Sequence, residues 1–248
     1  MTPSLGAAAA APGRPVPECP PVTSVAEAPP ETAVVVTVAP AFCDAAAAIA
    51  GGLVPYRLSV AKYEEIVHLG ILGPGDKVEL LHGMLASKMG THTPHAFATT
   101  TLMFLLYDRC RASWCVRSQQ PVIVPDDSMP EPDVSVAPGS QRDYLKRHPT
   151  AEQTALVVEV SDSSLRLDLG GKLALYAAAL IPEYWVVDLP GQKLHVHTLP
   201  YGGERPGYRN VAVLGIGDEV PLTLRGESFG TLRVADFLPP LNNPGDSS

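Results

Sequence analysis

Long apolar runs, basic surplus and paired cysteines are all missing from this 248-residue sequence. No stretch approaches the roughly 18 to 20 uninterrupted apolar residues of a membrane span. Nor does a basic patch precede an apolar core at the N-terminus, as a secretory signal requires. The expectation is a cytoplasmic protein with no membrane partner. The four cysteines, Cys19, Cys43, Cys110 and Cys115, form no C-x-x-C pair, so they read as free thiols rather than a disulfide framework or a zinc site. Lys and Arg number 18 against 26 Asp and Glu, a net charge of -8, which counts against a protein that coats nucleic acid non-specifically. An enzyme with a local basic groove remains compatible with that balance.

What is present suffices for one core. With 46 % hydrophobic residues, a chain of this length reads as a single domain with tails. Residues 1–52 are rich in Ala and Pro, hold no lysine and a single arginine, Arg14, and read as a disordered leader. The runs AVVVTVA (33–39) and AAAAIA (45–50) could add an edge strand or a helical turn there. The folded domain is expected over 53–238, with 239–248 a flexible tail.

Within the domain, LSVAKYEEIVHLGI suggests a helix capped by Ser59, with Glu64 and Glu65 near its start. The segment KVELLHGMLASKM (77–89) reads as two short strands turning at His82-Gly83. A helix is predicted over 92–112, with Phe97, Leu102, Leu105 and Leu106 among its apolar positions. Strands follow around 115–124 and 132–136, with a turn at PDDSMP and a polar surface helix or loop over 141–148. Strand 154–161, helix 164–180 and strand 183–189 form a strand, helix, strand unit. Strands at 194–199, 208–214 and 218–224 and a short helix at 233–238 complete the pattern. The fold class is α/β, a central mixed β-sheet flanked by helices, with Asp133 and Glu159 on adjacent strands.

Glu159 is the most informative residue. It interrupts ALVVEV (155–160), otherwise a fully buried strand, where an uncompensated charge costs several kcal/mol. A cation would compensate it. Alternation puts Val157, Glu159 and Ser161 on one face and Val158 and Val160 on the other. Asp133 and Glu159 could hold Mg²⁺ or Mn²⁺, and Lys172 on the following helix could approach the water or the phosphate, an order that suits phosphodiester hydrolysis.

These pieces, VELLHG (78–83), His95, PEPDVSV (130–136) and above all LVVEVSDSSLRLDLGGKLALYAAALIPEYWVVD (156–188), resemble the Uma-two family of restriction-endonuclease-like proteins in the PD-(D/E)xK nuclease superfamily. The resemblance runs over roughly residues 56–238. It implies a restriction-endonuclease-like core and Mg²⁺-dependent cleavage of DNA. By position it makes Asp133 and Glu159 metal-binding acids, Lys172 the lysine displaced onto the helix, and Glu79 the upstream acid. Two departures stand out. Ser161 occupies the lysine position of the plain E-x-K signature, and Met84 stands where many relatives carry a second acid.

Bland readings accompany each residue. Asp133 after Pro132 suits a turn, and Lys172 could pair with Asp168 on a helix surface. Glu79 could pair with Lys77 or Lys88 at a sheet edge. His95 could orient a ligand, contact DNA or cap its helix. His195 and His197 share a strand face that reads as solvated, and Tyr176, Tyr184 and Trp185 read as core. The function expected is a Mg²⁺- or Mn²⁺-dependent DNA endonuclease acting as a homodimer. The alternative is a catalytically inactive nucleic-acid-binding or regulatory module on the same fold.

Overall fold

The computed structural model describes residues 54–240 except 74, 89 and 91. The expectations for the leader, its two short runs, Cys19, Cys43 and residues 241–248 lie outside the described residues. Helix α1 (Val60–His68) begins at Ser59, whose hydroxyl accepts the Lys62 N–H at 3.3 Å. Glu64 and Glu65 fall beyond its first turn, so the cap rather than acidic charge marks its start. Strands β1 (Val78–Leu81) and β2 (Met84–Ser87) make the expected hairpin. His82 and Gly83 both take positive φ, 48° and 74°. A Cβ on Gly83 would sit 2.6 Å from the Arg57 Cβ, so this turn position admits little but glycine.

Helix α2 (Thr93–Cys110) starts with Pro94 in its first turn. It buries Ala98, Leu102, Leu106 and Cys110, a four-residue spacing that forms one stripe. Phe97 lies off that stripe and is exposed. Strand β3 (Trp114–Ser118) ends earlier than its apolar run suggests, because Gln119 turns the chain with φ 50°. Strand β4 (Val134–Pro138) pairs antiparallel with β3 and with β5 (Leu156–Ser161). Helix α3 covers 165–178, then β6 (Glu183–Asp188) returns parallel to β5. Strands β7 (Lys193–Tyr201) and β8 (Gly207–Gly215) extend the sheet antiparallel, giving the order β3-β4-β5-β6-β7-β8. The architecture is α/β with a mixed central sheet. Strand β9 (Glu219–Leu224) leaves that sheet and pairs instead with β10 (Glu227–Arg233), a strand absent from the sequence expectation. A 3₁₀ turn (Val234–Asp236) stands at the expected short helix.

The two sheet faces differ in content. The even-numbered positions of β5 pack the first: Leu156, Val158 and Val160 join Trp185, Val187, Leu194, the α2 stripe and the β9–β10 hairpin in one apolar cluster. On the other face Val157 packs with Tyr184, Val186 and Leu175, Tyr176 and Ala177 of α3. Glu159 lies on that second face, beneath α3. Tyr176, Tyr184 and Trp185 are fully buried, as core residues. Among the described residues no helix is long and apolar enough to cross a membrane.

The solvated reading of the two β7 histidines is corrected. His197 is 5 % exposed and its ring lies 5.8 Å from the rings of both Tyr184 and Tyr208. Its ring nitrogens have no hydrogen-bond partner among the described residues. Burial, helped by His195, pulls its pKa down from 6.5 to about 4. A depressed folded-state pKa means the stabilising contribution is complete above 6.5 and is lost as pH falls toward about 4. His197→Phe should therefore remove roughly 2–3 kcal/mol of acid destabilisation. Urea midpoints measured from pH 7.5 down to pH 4.5 check this: parallel declines for parent and variant would refute it.

Candidate active site

Four elements converge on one cavity of about 90 Å³. β1 brings Glu79, the segment entering β4 brings Asp133, β5 brings Glu159, and α3 brings Asp168 and Lys172. The register explains the Asp133–Glu159 meeting: Val134 pairs with Val158 antiparallel, so the preceding and following residues are opposed across the same two strands. The Asp133 carboxylate is bound back to β5, its Oδ2 accepting the Val160 N–H at 2.8 Å. This is not a turn residue alone.

Helix α3 is irregular where it faces the cavity. Residues Asp168–Lys172 wind as a π-helical turn between α-helical Leu165–Leu167 and Leu173–Ala178. Such widened turns recur at functional sites. Here the turn holds Asp168, 2 % exposed, and Lys172, 6 % exposed, so the surface-pair reading of these two residues does not apply.

Lys172 Nζ lies 3.1 Å from both Glu79 Oε1 and Glu159 Oε1. The Tyr176 hydroxyl donates to the same Glu159 oxygen at 2.8 Å. Burial alone would push the Lys172 ammonium toward neutrality, but Glu159, Glu79 and Asp168 hold its pKa above the usual lysine range. The three acids thus favour the ammonium form of Lys172. Glu159 moves up, first because it is desolvated and then because Asp168, Asp133 and Glu79 repel its charge, with Lys172 opposing. Glu79 spends both oxygens inside the protein, since Oε2 accepts the Glu131 N–H at 2.9 Å. Its partner is Lys172, and Lys88 pairs instead with Glu131 at 2.7 Å.

His95 does not cap α2. Its Nε2 lies 3.2 Å from Asp133 Oδ2. Burial opposes the imidazolium, but Asp133 prevails and raises the His95 pKa, while His95 and the Val160 N–H hold Asp133 below the usual carboxylate range despite burial. Asp168 was visible in the sequence only as a spacing partner of Lys172. In the fold its Oδ2 accepts hydrogen bonds from the Ser161 and Ser164 hydroxyls at 2.6 and 2.5 Å. Burial nonetheless raises its pKa. The serine at the E-x-K lysine position therefore serves an acid. No sequence period could have announced this third acid, because it depends on the π turn.

Among the described residues no three Asp, Glu, His or Cys side chains form a ready-made metal cage. A Mg²⁺ ion needs none, because it binds through one or two carboxylates and keeps several waters. The donor set fits such an ion. Hard oxygens of Asp133, Glu159 and Asp168 line the cavity, and six acids there, with Glu79, Glu131 and Asp162 the others, face Lys88, Lys172 and His95. The surplus negative charge and the raised Glu159 and Asp168 are what a divalent cation would relieve.

Among curated proteins none matches this chain. Among solved structures, one described as a putative nuclease belonging to DUF820 from Anabaena variabilis ATCC 29413 superposes with a TM-score of 0.50 over 68 % of this chain and 94 % of that one, at 12 % identity. That likeness is one of fold. The sequence itself matches the Uma2 family, described as "Putative restriction endonuclease", over residues 60–234, and the chain belongs to that family.

Proposed function

We propose that this protein is a Mg²⁺- or Mn²⁺-dependent endonuclease that hydrolyses phosphodiester bonds in DNA. The observation that carries the reading is Glu159, a carboxylate on a buried strand that shares one cavity with Asp133, Asp168 and Lys172. Asp133 and Glu159 would hold the ion, with Asp168 beside them. When bound, the ion would stabilise charge developing on the phosphate and ease deprotonation of water.

The remaining work falls to the chain. Lys172, kept protonated by Glu79 and Glu159, is a donor to a phosphate oxygen or to the attacking water and cannot be the general base. Glu79 positions Lys172, and Tyr176 fixes the Glu159 rotamer. His95 and the Val160 N–H aim the Asp133 carboxylate. Purified protein should nick supercoiled plasmid with Mg²⁺ or Mn²⁺ and not with EDTA. Asp133→Ala should lose the nicking, and full activity in that variant would remove Asp133 from the site.

A second reading, an inactive nucleic-acid-binding module, draws on Lys172 standing between Glu79 and Glu159, and on Met84. Duplex binding that needs no divalent ion, with no cleavage, would favour it.

Double-strand cleavage by a single-site enzyme calls for two subunits, and β8 supports a homodimer. Among the described residues it is the last strand of the sheet. Its sequence, GYRNVAVLG, has no Lys or Pro and a single charge, Arg209, near one end, and Val211 and Val213 are 56 % and 51 % exposed. Antiparallel pairing of two β8 edges would make an isologous contact. Light scattering should give a dimer for the parent and a monomer for Val211→Lys combined with Val213→Lys; an unchanged dimer in that variant would dismiss β8 as the interface.

A further inference from the structure

A second and larger cavity, about 620 Å³, adjoins the acid and lysine pocket. The two share Lys88, Gln119 and Glu131 as a common wall. That wall is tied to the site, because the Glu131 N–H donates to Glu79 and its carboxylate pairs with Lys88. The larger cavity has an apolar lining of Val67, Leu72 and Val78 with the ring of Tyr63. The Tyr63 hydroxyl is committed to the Val78 carbonyl at 3.3 Å, so Tyr63 presents carbon to the cavity. Lys77 stands at the cavity, exposed and without an ion-pair partner among the described residues.

We propose that this cavity is a subsite for a single unpaired nucleoside flanking the phosphate to be cut. The inference rests on the nuclease reading above and adds the substrate class, single-stranded or locally unpaired nucleic acid. The size is that of a small-molecule site. An apolar lining with an amide and a lysine at the edge suits one nucleobase and its phosphate, and a base held in a stacked duplex must leave the stack to reach such a lining. Charge complementarity favours the same occupant: Lys77 offers an exposed cation at this cavity, where Lys88 is already paired with Glu131, on a chain of net charge -8.

The test uses the full chain with Ca²⁺ in place of Mg²⁺, and oligonucleotides read by fluorescence anisotropy. The parent should bind a single-stranded oligonucleotide at least about tenfold more tightly than the same sequence fully paired, and an abasic residue placed along the strand should weaken binding by a similar factor. Val67→Trp, at a half-exposed position of the rim, should obstruct the cavity and reduce the preference. Its hydrolysis of bis(p-nitrophenyl) phosphate, which has no base, should match the parent's. Equal affinity for single and paired strands, or parent-like binding by Val67→Trp, would overturn the subsite. Parent protein that keeps the single-strand preference but hydrolyses neither substrate would overturn the nuclease reading and leave the subsite standing.

Discussion

Lys172→Met should destabilise the protein by about 3 to 5 kcal/mol and abolish cleavage. The size follows from what the change leaves behind. A buried ion pair adds little net stability over apolar residues of the same shape, but removing one partner strands the other charge in a medium that cannot solvate it. Here two are stranded, because the ammonium lies 3.1 Å from both Glu79 and Glu159. Against a total stability of about 5 to 15 kcal/mol, the loss is large. It also carries a pH signature in EDTA. Lys172 is the cause that pulls the Glu159 pKa down, so without it Glu159 moves further up. A carboxyl with a raised folded-state pKa stabilises the fold at low pH and loses that contribution as pH rises through the folded value. In the parent that value is already raised to about 8, so parent and variant decline together below it, and the deficit of the variant should widen from pH 8 to pH 10 in urea titrations. A deficit that is absent, or constant across that range, would mean that Lys172 does not neutralise these acids.

Glu159→Gln should give the opposite pairing of effects. The amide oxygen can still accept from Lys172 and Tyr176, and Glu79 still neutralises the lysine. One of four crowded negative charges disappears. Stability without metal should stay within about 1 kcal/mol of the parent or exceed it. Mg²⁺ or Mn²⁺ should raise the melting temperature of the parent and leave that of the variant unchanged. Cleavage should fall at least about 100-fold, because even partners one step removed from a metal are worth 10- to 100-fold. A variant that keeps the metal-induced shift would take Glu159 out of the ion's coordination. Together the two substitutions separate the cost of folding around this cluster from its chemistry.

Glu159 was legible in the sequence because one charge in a run of branched apolar residues has few explanations. Alternation along β5 also told which neighbours share its face. Asp133 and Lys172 were read from their order around Glu159, and the resemblance to a family added a role to each position. What stayed hidden depends on tertiary pairing. Nothing local says that Glu79 will meet Lys172 rather than a nearer lysine, or that His95 will aim at Asp133 instead of capping α2. The β7 histidines were misread for a related reason: period 2 says which residues share a face, and the Tyr184 and Tyr208 rings that cover it come from other strands. Strand β9 reads as a strand, but its pattern does not name β10 as its partner.

The widened turn at Asp168–Lys172 has a bearing on how relatives are compared. A residue gained in a helix rotates everything after it by about 100°. A homologue whose helix is regular should thus align with this chain only through a one-position gap between the acid and the lysine. Pairwise scoring that refuses the gap will keep the serines and the acid in step and misassign the ammonium, or do the reverse.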